Sequence, residues 1–360
     1  MGPGRVNSWP AREPLMIEMR KFMEPSLPWR SSEHSHVEAY ENVQGLSAPP
    51  GRTRPVTVTQ ERKPQTIREL LPVASAWLAE RGVQEARLDT ELLLAHVLEL
   101  SRMQLYMDHD RPLIQDELER FRALMRRRGE RREPVAYLIG ERGFCGLDLE
   151  VGPGVLIPRP ETEHLVEVGC EELGRLAIAR GAAIARGARA ETLRAADVGT
   201  GSGCVALALL DRVDDLRVWA TDRSAAALAI ARRNAERCEA GERLLLGQAD
   251  LLAPAAPSSL DLIVSNPPYV LESEDPLLSP EVRDHEPRSA LFDADGLPLT
   301  QRLVEQAARA LRPQGALAIE TGFDKAPLVE GFFQRAGFVE VRRVEDLGGI
   351  ERIVVGRKAG

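Results

Sequence analysis

Asp197-Val198-Gly199-Thr200-Gly201-Ser202-Gly203 ends an apolar stretch and runs straight into a helical pattern, Cys204 to Leu210. Strand, glycine-rich turn and helix in that order form the first half of a βαβ unit. The glycines let the backbone approach a ligand and let strand and helix pack closely. The spacing departs from the dinucleotide fingerprint G-x-G-x-x-G, because Cys204 stands where the third glycine belongs. No P-loop Gly-Lys-Ser/Thr follows either.

Working outward, strand and helix patterns alternate, with strands ending at Asp197, Asp222, Asp250, Asn266 and Glu320. That alternation predicts an α/β fold with a mainly parallel, doubly wound sheet. Phe338 to Val344 and Ile350 to Val355 flank Asp346-Leu347-Gly348-Gly349 and read as a closing antiparallel pair. Ligands of such sheets bind beyond the carboxyl ends of the strands, where those polar residues fall. Asp222 closes the strand Val218-Trp219-Ala220-Thr221, at about the distance where such folds set an acid on ribose hydroxyls. Asp197 either orients the glycine loop or meets a cationic amino group. The loop alone leaves S-adenosylmethionine and a nicotinamide cofactor both open.

A second motif separates them. The apolar run Leu262-Ile263-Val264-Ser265 stops on Asn266-Pro267-Pro268-Tyr269. Proline cannot continue a sheet ladder, so the chain turns there. The turn holds an amide, rigid carbonyls and an aromatic face at one spot, a combination suited to gripping a planar amino or amide group by its N–H bonds. After the fourth strand of a sheet whose first strand carries the glycine loop, it points to methyl transfer onto a planar nitrogen.

The 360 residues allow two domains, and a chain 43% hydrophobic and 28% charged is ordinary for a globular protein. A net charge of −8 argues against a dedicated nucleic-acid binder. Cys145, Cys170, Cys204 and Cys238 form no C-x-x-C pair and read as reduced thiols, with no metal site expected. No signal-peptide core or membrane span is visible, so a cytoplasmic monomer is expected. Residues 1–63 lack periodicity and read as a disordered extension. Residues 64–134 read as a helical domain, opened by the capping pattern Thr66-Ile67-Arg68-Glu69, with further helices from near Asp89 and over Ile114 to Arg132. Its last helix carries Arg126-Arg127-Arg128 and Arg131-Arg132, either a solvated face or a surface for an acidic or RNA-associated partner. Residues 135–160 read as a strand-like β-hairpin linker and 161–360 as the catalytic domain, with Ala177 to Ala190 as a helix end or loop.

These motifs together resemble the HemK-type protein-(glutamine-N5) methyltransferases that modify class-1 peptide chain release factors. The resemblance rests on Pro134-Val135-Ala136-Tyr137-Leu138-Ile139-Gly140, Phe144, Leu156-Ile157-Pro158-Arg159-Pro160-Glu161-Thr162-Glu163, the glycine loop and Asn266-Pro267-Pro268-Tyr269. Glu286-Pro287-Arg288, Asp295-Gly296 and Asp346 to Arg352 extend it across roughly residues 66–357. It implies a seven-stranded class I methyltransferase domain behind a small helical domain that helps hold the release factor. It implies S-adenosyl-L-methionine contacts from Asp197, Gly199, Thr200, Gly201, Ser202, Gly203, Asp222, Asp250, Leu251 and Asn266. Asn266, Pro267, Pro268 and Tyr269 would bind the glutamine of a Gly-Gly-Gln motif. Leu251 stands where relatives often place an aromatic, and no glutamine follows Glu320-Thr321-Gly322. A ribosomal-protein glutamine methyltransferase and an adenine-N6 nucleic-acid methyltransferase are the alternatives; the second needs a large DNA-contacting surface to extrude a base, and no direct DNA binding is expected.

The chemistry expected is positional. An amide nitrogen is a poor nucleophile, and no side-chain base deprotonates it in the ground state. Asn266 and the Pro267 carbonyl are expected to accept its two N–H bonds, with Tyr269 against the amide plane. His285, Glu161 and Glu163 read as loop or helix-start residues rather than catalysts.

Overall fold

The computed structural model describes residues 66–185 and 192–360, which fall into two compact units meeting in sequence at Arg131 and Arg132. The stretch 1–63 and the end of the Ala-rich segment, 186–190, lie outside the described residues.

The described residues of the first unit are mainly helical. Helices span Ile67–Glu80, Ala86–Leu98, Arg102–Met107 and Gln115–Arg131. Thr66 caps the first by accepting the Glu69 backbone N–H, as its sequence pattern predicts. Ser101 and Gln104 form a full capping box for the short third helix, which the periodicity did not reveal. Trp77, Leu93, Phe121 and Met125 are all buried. Gly129 has to be small: a Cβ there would stand 2.3 Å from the Trp77 ring. The arginine-rich helix is only partly a solvated face. Arg128 is buried and its Nε donates to Asp89 at 2.7 Å, so this member of the cluster serves the interior.

The second unit opens on a helical turn. Val135–Ile139 is a helical turn rather than a strand, because Pro134 precedes it and Gly140, at φ +88°, closes it in the left-handed region. The hairpin follows as β1 (Glu141–Phe144) and β2 (Leu147–Glu150). A 3-10 turn at Pro160–Thr162 then leads into the helix Glu163–Ile184.

The main sheet comprises β3 (Leu193–Val198), β4 (Leu216–Asp222), β5 (Leu244–Gln248), β6 (Leu260–Ser265), β7 (Leu311–Glu320), β8 (Phe338–Glu345) and β9 (Glu351–Lys358). Its order is β5-β4-β3-β6-β7-β9-β8, parallel except for β9, which runs antiparallel to both β7 and β8. Helices cover both faces, so the central strands are continuous apolar runs. In β6, Leu262 and Val264 join the core under Glu163–Ile184, while Ile263 joins the core on the opposite face. The period-two alternation of strand side chains thereby decides which residues reach which layer.

Candidate active site

The strand order reverses between β3 and β6, and there the two motifs meet. Val198 pairs with Ser265, so Gly199 and Asn266 emerge side by side from adjacent parallel strands. Ser265 seals the junction by donating its hydroxyl to the Val198 carbonyl oxygen at 2.7 Å, in a fully buried setting. A cavity of about 570 Å³ opens beyond these strand ends. Open α/β sheets place their ligand crevices at such a switch point.

The glycine loop is held from below. Asp197 is buried, and its Oδ2 accepts the Thr200 hydroxyl at 2.6 Å and the Ala206 backbone N–H at 3.1 Å. Burial pushes its carboxyl up to about 6, opposed by those two donors and reinforced by the charge of Asp222. Of its two expected roles, orienting the loop is the one its contacts describe. Asp222 accepts the Gly201 N–H at 3.0 Å with one oxygen and the Ser224 N–H at 2.8 Å with the other. An ionised carboxylate has about four acceptor sites, so two remain for hydroxyl groups of a ligand.

Gly201, at φ +56°, presents its backbone to open space: a Cβ there would meet no protein atom within 4 Å. Gly203, at φ +85°, begins the helix Cys204–Arg212, and its missing side chain lets Ala231 approach to 3.4 Å of the Cβ position. Cys204 beside it is half-buried, and desolvation pushes its thiol up to about 12, which keeps it protonated and out of nucleophilic chemistry. All four cysteines are free.

Most residues expected at the site line this one cavity. Asp197, Gly199, Thr200, Gly201, Ser202, Asp222, Asp250, Leu251, Asn266, Pro267 and Pro268 all border it. Gly203 sits behind the loop and Tyr269 is absent from the lining. The Tyr269 ring packs toward Gly322, where a Cβ would come within 2.9 Å of it, and burial raises its phenol. Leu251 adopts φ +53° and packs on the core beneath the helix Pro298–Ala310.

Asn266 is half-buried and donates Nδ2 to the Thr162 Oγ at 3.1 Å. Pro267 and Pro268 carry no N–H, so this corner offers acceptors and no backbone donors. It is built for a ligand that brings N–H groups.

Other contributions were not legible as site residues. Glu286 is buried and accepts the Ile157 N–H at 3.1 Å and Arg159 at 2.5 Å, fastening the wall that carries Leu156 and Pro158. Glu163 takes the Cys145 N–H at 3.0 Å, a structural role. Thr162 and Glu320 lie at Asn266 because the turn before Glu163 and the end of β7 converge there. Their partners lie far away in sequence, and only the register of the sheet identifies them. Among the described residues no cluster of His, Cys, Asp or Glu is arranged to hold a metal ion, and no helix is long and apolar enough to cross a membrane.

The donor set fits S-adenosyl-L-methionine. The open backbone at Gly201, the spare acceptors of Asp222 and the apolar Leu251 match an adenosyl group and its ribose.

Comparison with known proteins gives the same picture along the chain. The family described as PrmC N-terminal domain matches residues 69–140, and the methyltransferase small domain matches residues 185–278. A release factor glutamine methyltransferase of Geobacter sulfurreducens is 41% identical over 301 residues, covering 83% of this chain and 99% of that protein. One from Chlorobaculum tepidum is 42% identical over 296 residues, covering 81% and 97%. A third, from Nitratidesulfovibrio vulgaris, is 40% identical over 299 residues, covering 81% and 95%.

Proposed function

This chain belongs to the release factor glutamine methyltransferase family, and we propose that it methylates its substrate by presenting the glutamine amide nitrogen on Asn266 and Pro267. It is an S-adenosyl-L-methionine-dependent protein-glutamine methyltransferase of class I fold, acting on peptide chain release factors. The glutamine it modifies is that of the Gly-Gly-Gln motif, at the side-chain N5. The observation that carries this reading is the Ser265–Val198 junction, which sets Asn266 beside the glycine loop at one cavity.

Bound S-adenosyl-L-methionine supplies a methyl group on a positively charged sulfur. Gly199 to Ser202, Asp222 and the Asp250–Leu251 turn would hold it at the mouth of β3 to β5. Asn266 accepts one amide N–H through Oδ1, and the Pro267 carbonyl accepts the other. Both acceptors lie where positive charge develops on nitrogen during in-line displacement, so they favour the transition state over the resting amide. As the N–C bond formed, the methyl C–S bond would break to leave a neutral thioether; the alkylated nitrogen would then lose its proton to solvent, and no side chain needs to remove it beforehand. Tyr269 supports the loop against Gly322. The protein works as a cytoplasmic monomer and takes no DNA.

Labelled methyl transfer tests the reading. Release factor should acquire one label per chain, a release factor with the Gly-Gly-Gln glutamine replaced should acquire none, and DNA should acquire none. Label on DNA, or on the altered release factor, overturns it.

A further inference from the structure

Asn266 directly follows β6, and Glu320 ends the neighbouring β7. Ser265 pairs with Ile319, so the next residue of each strand emerges side by side. Leu262 and Val264 of β6 and Ala316 and Ala318 of β7 belong to the core covered by Glu163–Ile184. By strand alternation Asn266 and Glu320 extend that same face. The turn that starts the covering helix places Thr162 over both strand ends.

The three side chains form a directional set. Asn266 donates Nδ2 to the Thr162 Oγ at 3.1 Å, and both side chains stand beside the Glu320 carboxylate and favour its charged form. Glu320 is only 2% exposed, and its Oε2 has no protein donor. A desolvated carboxylate short of donors does nothing for the stability of a fold. Its place at the site therefore calls for another account.

An ionised carboxylate only accepts hydrogen bonds. It draws in the Thr162 O–H and the Asn266 Nδ2, and the Asn266 Oδ1 is left facing outward. An amide turned the other way would aim N–H at a substrate that itself brings N–H. Resting on the function proposed above, we propose that Glu320 is a positioning residue that sets the Asn266 side-chain amide so that its oxygen receives the substrate nitrogen.

The protonation state of Glu320 then matters. Burial pushes its carboxyl up to about 7, against the hydrogen bonds from Thr162 and Asn266 and the charge of Arg352, with Glu161 adding to the rise. Tyr269 and Cys204, the other titratable groups coupled to it, are both held neutral by burial. Protonated Glu320 becomes a donor, and an O–H directed at Asn266 favours the turned amide. Turnover should accordingly rise with pH as Glu320 ionises.

Full-length wild type, E320Q and E320D are compared on release factor from pH 5.5 to 9, with thermal melts confirming folding. Wild type should show an acid limb in kcat with a midpoint near the ionisation of Glu320. E320Q should lose at least about tenfold in kcat at pH 8 and lose the limb, with KM for S-adenosyl-L-methionine within about twofold. E320D should retain a limb. Equal kcat and pH profile in E320Q overturn the inference while leaving the proposed function intact; a wild type inactive on release factor overturns the function itself. A second measurement needs no variant. In wild type labelled with ¹⁵N-asparagine, the Asn266 side-chain N–H signals should shift across the same pH range, and signals that stay still overturn the proposal.

Discussion

Asn234 donates its side-chain Nδ2 to the Ser202 carbonyl oxygen at 2.8 Å, from a position with no solvent exposure. The same Nδ2 donates to the Glu150 carbonyl at 2.9 Å, and Oδ1 accepts the Glu150 N–H at 2.6 Å. One amide thus ties the glycine loop to the β1–β2 hairpin. N234L keeps the size and removes the polar atoms. It should cost about 1–3 kcal/mol for each backbone group left unpaired, and it should weaken cofactor binding as the loop loosens. Urea unfolding and titration calorimetry read the two effects separately.

In the proposed mechanism Asn266 carries the reaction and only part of the cofactor site. N266A should reduce kcat on the order of 10²–10³, the usual loss when one preorganised hydrogen-bonding group facing developing charge is removed. Cofactor affinity should fall by much less. Normal methylation of release factor by this variant would remove Asn266 from the mechanism.

Asp197 should leave a mark on acid stability. Its carboxyl is raised from 3.8 to about 6 by burial, so between those values the folded chain holds a proton that the unfolded chain has released. The contribution of this group to stability therefore falls as pH rises from about 4 to about 6, and it is level above that. The loss is on the order of 2–3 kcal/mol at ~1.4 kcal/mol per pH unit. D197N should flatten this part of the curve in cofactor-free protein, measured as the urea midpoint at successive pH values.

In the helical unit, D89A takes the Asp89 carboxylate away from the buried Arg128 guanidinium. Breaking one side of such a pair should cost about 3–5 kcal/mol, whereas the double replacement D89L/R128M should cost far less. Trp77 fluorescence during denaturation, in a W9F/W29F/W219F background that leaves it the one tryptophan of the sequence, follows this unit.

Sheet and cavity were legible because both depend on local signals. Glycine-rich turns, prolines that stop strands and continuous apolar runs mark where strands end, and β4 and β7 end at Asp222 and Glu320 as read. β3 runs one residue past its expected end, to Val198, while β5 and β6 stop two and one residues short, at Gln248 and Ser265. What stayed hidden depends on distant partners. Arg128 reads as surface until Asp89 is found beside it, and Glu320 reads as a strand end until parallel pairing sets it at Asn266. Val135–Ile139 misled because five apolar-rich residues fit a strand or one helical turn equally well, and its flanking Pro134 and Gly140 decide the matter.

On the proposed mechanism, the two oxygen acceptors at Asn266 and Pro267 also bear on when the reaction stops. A primary amide brings two N–H groups to two acceptors, but after one transfer the nitrogen keeps a single N–H and carries a methyl in place of the other. The product fits the corner less well than the substrate, with one acceptor unmatched and a methyl pressed against a polar oxygen. Dissociation after a single addition is therefore built into the stereochemistry of two carbonyl oxygens, without any residue devoted to counting methyl groups.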